Sequence, residues 1–208
     1  MLTASTPPSF ANQPALILAS TSPYRRALLQ RLRLPFDCIA PQVDETPQPG
    51  ELAGALAQRL ALEKAHAVAA QHPGAVVIGA DQVAELGGVT IGKPGNHARA
   101  VAQLQAMRGH SVLFHTAVAV VQQQAGFAQS ALAMVQVQFR PLDDAQIEFY
   151  LRAETPYDCA GSAKCEGLGI SLLAAIHSDD PTALIGLPLI HTCTLLRLAG
   201  INILGPAL

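Results

Sequence analysis

Leu16-Ile-Leu-Ala-Ser-Thr-Ser-Pro-Tyr-Arg-Arg26 decides how the rest of the chain is read, because an apolar run there gives way at once to hydroxyls, a proline and two arginines. Leu16–Ala19 has the length and composition of a strand buried in a parallel sheet. Ser20 to Ser22 supply hydroxyls and backbone N–H groups where the chain turns, and Pro23 suits the first turn of a helix. Arg25 stays beside that helix start, where unpaired N–H groups and the helix dipole already favour negative charge. Phosphate or carboxylate is the expected ligand. The same residues also fit a plain helix cap, with Arg25 and Arg26 as solvated charges.

Working outward, the remaining charge favours the anion site. Charged residues are only 13% of the 208, yet they gather in a few short clusters inside long apolar stretches. Half the residues are hydrophobic, enough for a sizeable core in one domain or two joined lobes. A net charge of −2 leaves no basic footprint for a nucleic acid, so the expected phosphate ligand is small. Cys38, Cys159, Cys165 and Cys193 are scattered, without CxxC or Cys/His ligand spacing, and read as free thiols. Residues 1–14 are rich in Ser, Thr and Pro, read as a disordered tail, and lack the basic and apolar regions of a signal peptide. No apolar run reaches the ~18 residues of a membrane span. These features predict a cytoplasmic protein without a membrane or nucleic-acid partner.

Residues 16–19, 24–32 and 36–40 read as a β-α-β opening, which implies parallel pairing. After the acidic loop Val43-Asp44-Glu45, leucines and alanines at helical spacing predict a helix over 51–71. Residues 75–80 read as a buried strand stopping at Asp81-Gln82, at the carboxyl edge where open α/β sheets place ligands. Gly87-Gly88 marks a tight turn, Gly92-Lys93-Pro94 closes that hairpin, and Asn96 caps a helix to Arg108. Two long antiparallel strands are expected over 111–121 and 127–140, a helix opened by Asp143 and Asp144, a polar loop over 157–169, and a last helix over 187–198. Residues 15–208 are thus expected to form a single domain of two lobes sharing one sheet.

Five polar clusters carry the expected chemistry: Ser20 to Arg25, Asp44-Glu45, Glu63-Lys64, Asp81-Gln82 and Gly92-Lys93-Pro94. Arg25, Lys64 and Lys93 roughly match the charge of a nucleoside triphosphate, and two carboxylates suit a divalent metal or activation of water. Taken alone, Lys64 and Glu63 fit solvated helix charges and Lys93 fits a turn residue. Asp81, directly after a buried strand, must either cap the next segment or be used. Neither GxxxxGK[ST] nor GxGxxG occurs, so the phosphate site is of another type.

In this order, SxSxxR, VDE, Ala61-Leu-Glu-Lys-Ala65, GxDQ and GKP resemble the Maf family of nucleotide pyrophosphatases. The resemblance continues through Cys159-Ala-Gly-Ser-Ala-Lys-Cys-Glu-Gly-Leu-Gly-Ile170 and Gly186-Leu-Pro-Leu-Ile190, covering nearly everything after Pro14. It implies a two-lobed α/β fold of the Maf/ITPase kind, with a mixed sheet and a central cleft. It also implies hydrolysis of a nucleoside triphosphate to monophosphate and diphosphate with a divalent cation (Mg, Mn or Co), and a possible homodimer. Asp81 falls on the family's proton acceptor, Ser20 and Ser22 on its phosphate-binding turn, and Arg25, Glu45, Lys64 and Lys93 on its substrate- and metal-handling positions. Glu45 and Asp81 are the implied metal ligands.

Subgroups of that family differ at positions matched here by Tyr24, Gln82 and Glu166. The combination resembles the subgroup acting on 7-methyl-GTP rather than the one acting on dTTP and UTP. A 7-methylguanine ring is positively charged, so stacking on Tyr24 and a carboxylate at Glu166 both favour it. Tyr150 and Tyr157 are the other tyrosines. Two alternatives stay open at this level: an enzyme for dTTP or UTP, and a nucleotide-binding regulator of septum formation that does not turn its ligand over.

Overall fold

The computed structural model describes residues 13–204. The expected tail falls outside the described residues up to position 12; Gln13 donates from its side-chain amide to the Asn202 carbonyl at 3.2 Å. Five helices, α1 (Pro23–Gln30), α2 (Ala53–Ala69), α3 (His97–Met107), α4 (Asp144–Glu154) and α5 (Leu189–Leu198), pack on one mixed sheet. Its strands are β1 (Leu16–Ala19), β2 (Asp37–Cys38), β3 (Val76–Leu86), β4 (Val89–Ile91), β5 (Ser111–Gln122), β6 (Phe127–Phe139) and β7 (Leu173–His177). The order is β2-β1-β3-β5-β6-β7, with β4 beside β3. Among the described residues no helix is long and apolar enough to cross a membrane.

The parallel pairing implied by the β-α-β opening is confined to β2-β1-β3, and every other pair is antiparallel. The reason is in the connections. The crossings through α1 and α2 carry the chain back to the end of the sheet where it started, whereas β3-β4 and β5-β6 are joined by short turns and the crossing through α4 enters β7 at the end where β6 finished. The first of these is Gly87-Gly88, with φ of 58° and 86°; two successive left-handed residues make the turn that matches strand twist. The second expected strand shrinks to Asp37–Cys38, and β7 forms where only a loop and its aftermath were expected.

Period-two alternation divides the core. Val77, Val83, Ala117, Ala119 and Val121 face α2, whose Leu56, Leu60, Ala61, Ala65 and Val68 cover them. On the other face Ile78, Ala80, Val118 and Val120 pack with α1 and α5. Farther along that face, Ala84, Val112 and Phe114 pack with α3 and α4. Gln82 and Thr116 are opposite each other on β3 and β5, at the border between these two clusters.

The expectation that its strand stops at Asp81 is corrected: β3 runs on to Leu86, because β5 pairs with it continuously from Val77 to Glu85. On its other edge β3 changes partner. β1 pairs only as far as Gly79, and β4 joins only from Ala84. The open edge between them, residues 80–83, is where the cleft forms. Asp81 thus lies in mid-strand yet just beyond the carboxyl end of β1, and the change of neighbour does the work of a switch point.

The helix expected from Asp143 and Asp144 starts with a full capping box. Asp143 accepts from Gln146 N at 2.8 Å, and Asp143 N donates to Gln146 Oε1 at 3.0 Å. Asp143→Ala removes one half of this reciprocal pair. It is expected to cost about 1 kcal/mol, read as a melting temperature lower by roughly 2–4 °C with unchanged nucleotide affinity.

Candidate active site

The site is a cleft of about 670 Å³ bounded by the Ser20–Arg25 turn, Glu45, the open edge of β3, the Gly92-Lys93 turn and the loop from Asp158 to Glu166. At its floor lies a buried ion pair. The Lys64 ammonium donates to Asp81 Oδ1 and to Glu45 Oε1, each at 2.6 Å. Lys64 is 4% exposed and Asp81 7%, so the solvated-helix reading of Lys64 does not hold. Its neighbour Glu63 does keep that reading, pairing with Arg59 at 3.1 Å on the outer face of α2.

Close approach of α2 to β3 makes this contact. A Cβ on Gly79 would lie 2.1 Å from Ala61 O and 2.7 Å from Ala65 N, so only glycine lets the helix backbone lie directly on the strand. Lys64, on the same turn, then meets Asp81, two residues along the same face. Buried charges require such partners, since an unpaired ammonium in the interior costs several kcal/mol. Among the described residues Asp81 Oδ2 accepts no hydrogen bond, which leaves one carboxylate oxygen for a ligand.

Ser22 caps α1, accepting from Arg25 N at 3.4 Å, and Ser20 Oγ accepts from Ser22 N at 3.1 Å. The capping reading of these serines therefore holds, and each hydroxyl keeps its own O–H to donate. Arg25 is not a solvated charge. Its Nε donates to Gly186 O at 2.9 Å, which directs the rest of the guanidinium and leaves its two terminal nitrogens for an anion. Burial pulls its pKa down, while the Asp81 and Glu45 carboxylates oppose that shift. For Glu45 burial pushes the pKa up, but Lys64 outweighs it, helped by Lys93 and Arg25, and the carboxyl is held below its ordinary value. Lys64 and Arg25 thus act on both carboxylates, and Lys93 on Glu45. Lys93 is exposed at the cleft rim and, among the described residues, makes no ion pair.

Tyr24 lines the cleft, and burial, then Cys159 and Asp158, push its hydroxyl pKa upward. Tyr150 is buried in the core and Tyr157 lies 2.9 Å from His97 Nδ1, so neither ring is offered to a base in this cleft. Glu166 is exposed at the wall. Gln82 is held from behind, with its amide nitrogen within 3.0 Å of Thr116 Oγ1, Ala183 O and Leu184 O. Two carbonyl acceptors fix that amide's orientation and leave its oxygen as the unengaged end.

Several supporting residues carried no usable signal in the sequence. Thr116 is fully buried and donates to Ala183 O at 2.9 Å while accepting from Gln82. Asp180, 2% exposed, accepts from Thr182 N, Thr182 Oγ1 and Ile190 N, staking down the segment that presents Gly186 to Arg25 and Ala183 and Leu184 to Gln82. The contacts that segment makes to Gln82 and Arg25 join positions far apart in sequence.

Among the described residues no group of three or more His, Cys, Asp or Glu is placed to hold a metal ion. Glu45 and Asp81 nevertheless fit a shared one. Their oxygens share one ammonium, so they lie no farther apart than the two contacts to it allow. Two carboxylates completed by substrate phosphates are the usual donor set for a hard cation such as Mg.

A mixed α/β fold with a cleft that gathers three cations round a buried carboxylate defines a protein built for a small polyphosphate. Residues 15–199 match the family model described as Maf-like protein, and the chain belongs to that family. It is 67% identical over 193 residues to the 7-methyl-GTP pyrophosphatase of Albidiferax ferrireducens, covering 93% of this chain and 97% of that one. It is 66% identical over 186 residues to the 7-methyl-GTP pyrophosphatase of a Polaromonas species (89% and 85% covered), and 60% over 195 residues to that of Burkholderia pseudomallei (92% and 91%). A solved HAM1 protein from Coxiella burnetii aligns with a TM-score of 0.43 at 17% identity, over 62% of this chain and 74% of that one.

Proposed function

We propose that this protein hydrolyses 7-methyl-GTP to 7-methyl-GMP and diphosphate, removing a modified nucleotide from the pool. The observation that carries the chemistry is the buried Asp81–Lys64 pair in a cleft shared with Arg25 and Lys93. The base comes from the relatives, which bear the name 7-methyl-GTP pyrophosphatase at up to 67% identity among those cited.

In this reading Asp81 Oδ2 takes a proton from a water attacking the α-phosphorus. The bond from that phosphorus to the oxygen bridging to the β-phosphorus breaks, and diphosphate leaves with the bridging oxygen. Lys64 holds Asp81 aimed while Arg25 and Lys93 neutralise charge growing on the phosphate oxygens. Ser20 and Ser22 donate to the same oxygens from the turn. A divalent cation held by Glu45 and Asp81 would act as a Lewis acid on the phosphates. Tyr24 stacks on the base, Glu166 accepts from its N–H edge, and the Gln82 carbonyl oxygen completes the wall. A cytoplasmic location suits such a role, and all four cysteines are free thiols.

The test is release of diphosphate by the purified protein from 7-methyl-GTP, GTP, dTTP and UTP, with Mg, Mn or Co and with a chelator. Preference for 7-methyl-GTP, abolished by chelation and restored by added metal, is expected. Equal rates on dTTP would remove the base assignment, and tight binding with no hydrolysis of any triphosphate would favour the regulator instead.

A further inference from the structure

We propose that Gln103 is a positioning residue that ties the turn carrying Lys93 to the loop carrying Glu166, holding the two ends of the cleft in register. Gln103 lies on α3, behind the cleft lining, and its side-chain amide is used at both ends. The nitrogen donates to Gly92 O at 3.0 Å, and the oxygen accepts from Ser162 Oγ at 2.6 Å. Gly92 and Lys93 line one wall of the cleft, and Ala163 and Glu166 line another. A carbonyl only accepts, so the bond to Gly92 settles which end of the amide faces the turn and leaves the oxygen for the serine.

Both segments need such a tie. Residues 92–95 run between β4 and α3, in neither a strand nor a helix, so individual contacts rather than a ladder set where Lys93 stands. On the other side Ser162 is fully buried with φ of 54°, and it follows Gly161 at 68°. Left-handed backbone is uncommon outside glycine, and the serine hydroxyl's bond to Gln103 helps hold the bend from which the chain runs on to Ala163 and Glu166. The bend sits on the core, where a Cβ at Gly161 would lie 3.3 Å from Phe114 Cζ. A second link joins the same two segments, Gly95 N donating to Tyr157 O at 3.0 Å. Loss of Gln103 therefore loosens the two walls without parting them. A nucleotide whose phosphates meet Lys93 and whose base meets Glu166 gains from both contacts together only when their spacing is fixed.

This inference rests on the reading of the cleft as a nucleotide site, and it is tested by binding without turnover. The probes are a non-hydrolysable 7-methyl-GTP analogue and its two halves, diphosphate and 7-methylguanosine, each titrated into the wild-type protein and the variants. Gln103→Leu is expected to weaken binding of the whole analogue roughly 10-fold and to leave each half within about 2-fold. Ser162→Ala cuts the same tie at its other end and is expected to give the same pattern, so either variant carries the test should the other fold poorly. Because the two bonds act in series, combining Gln103→Leu with Ser162→Ala should cost no more than Gln103→Leu alone. An equal loss for the halves, as general damage to the fold would cause, overturns the proposal. No loss for the analogue, or additive losses in the double variant, overturns it too. Wild-type protein that binds neither the analogue nor its halves would overturn the nucleotide reading itself, whereas normal wild-type binding with unaffected variants overturns the role of Gln103 alone.

Discussion

Asp81→Asn will lower the rate of triphosphate hydrolysis by about 10²–10⁴-fold while nucleotide affinity stays within a few-fold. The amide is isosteric and its oxygen still accepts from Lys64, which at 2.6 Å is the contact that holds this side chain in place. What disappears is the capacity to take a proton. Lys64 keeps Glu45 as a charged partner, so the ammonium is not left alone in the interior. A moderate loss of stability is expected, and rates should be compared well below the variant's melting temperature. Single-turnover rates and titration with a non-hydrolysable triphosphate separate the two effects. If hydrolysis persisted at the native rate, Asp81 would be only a counter-ion for Lys64, and the base would have to be sought elsewhere on the cleft wall.

Gly79→Ala will damage the site from a position that touches no ligand. The added methyl meets Ala61 O and Ala65 N, backbone atoms with no rotamer through which to yield. Helix α2 must lift away from β3, and Lys64 lifts with it. Overpacking of this kind costs about 1–3 kcal/mol and sometimes more, and a displacement of roughly 1 Å at a catalytic contact lowers the rate by about 10²-fold. Thermal melts and kcat/KM measured together test this. Native stability and native activity in the same variant would show that the helix is not pinned there.

Lys64 shows how much of the site was legible in the sequence and where reading stopped. The buried stripe of α2 runs through Leu56, Leu60 and Lys64 at steps of four, so the helical period already put this lysine on the core face. Judged singly it fitted a solvated charge; judged by phase it did not. Asp81 was recognisable from the apolar run before it, but the end of its strand was misplaced. A charged residue reads as a boundary, whereas a strand paired along its whole opposite edge runs through one. The roles of Thr116 and Gly186 were beyond reach, since they rest on hydrogen bonds across 34 and 67 positions for the first and 161 for the second.

Local patterns by themselves determined the apolar strand and hydroxyl turn at residues 16–22, the glycine hairpin, the caps at Asn96 and Asp143, and which polar clusters were worth attention. Each depends on neighbours within a few positions, where backbone sterics and side-chain period act directly. Tertiary structure alone decided that β3 exchanges one partner for another, that the gap so created is the cleft, and that Lys64 is shared by Glu45 and Asp81 inside it. Edge pairing, helix-to-sheet distance and the desolvation of a charge are properties of surfaces brought together from distant parts of the chain, and no short window of residues contains them.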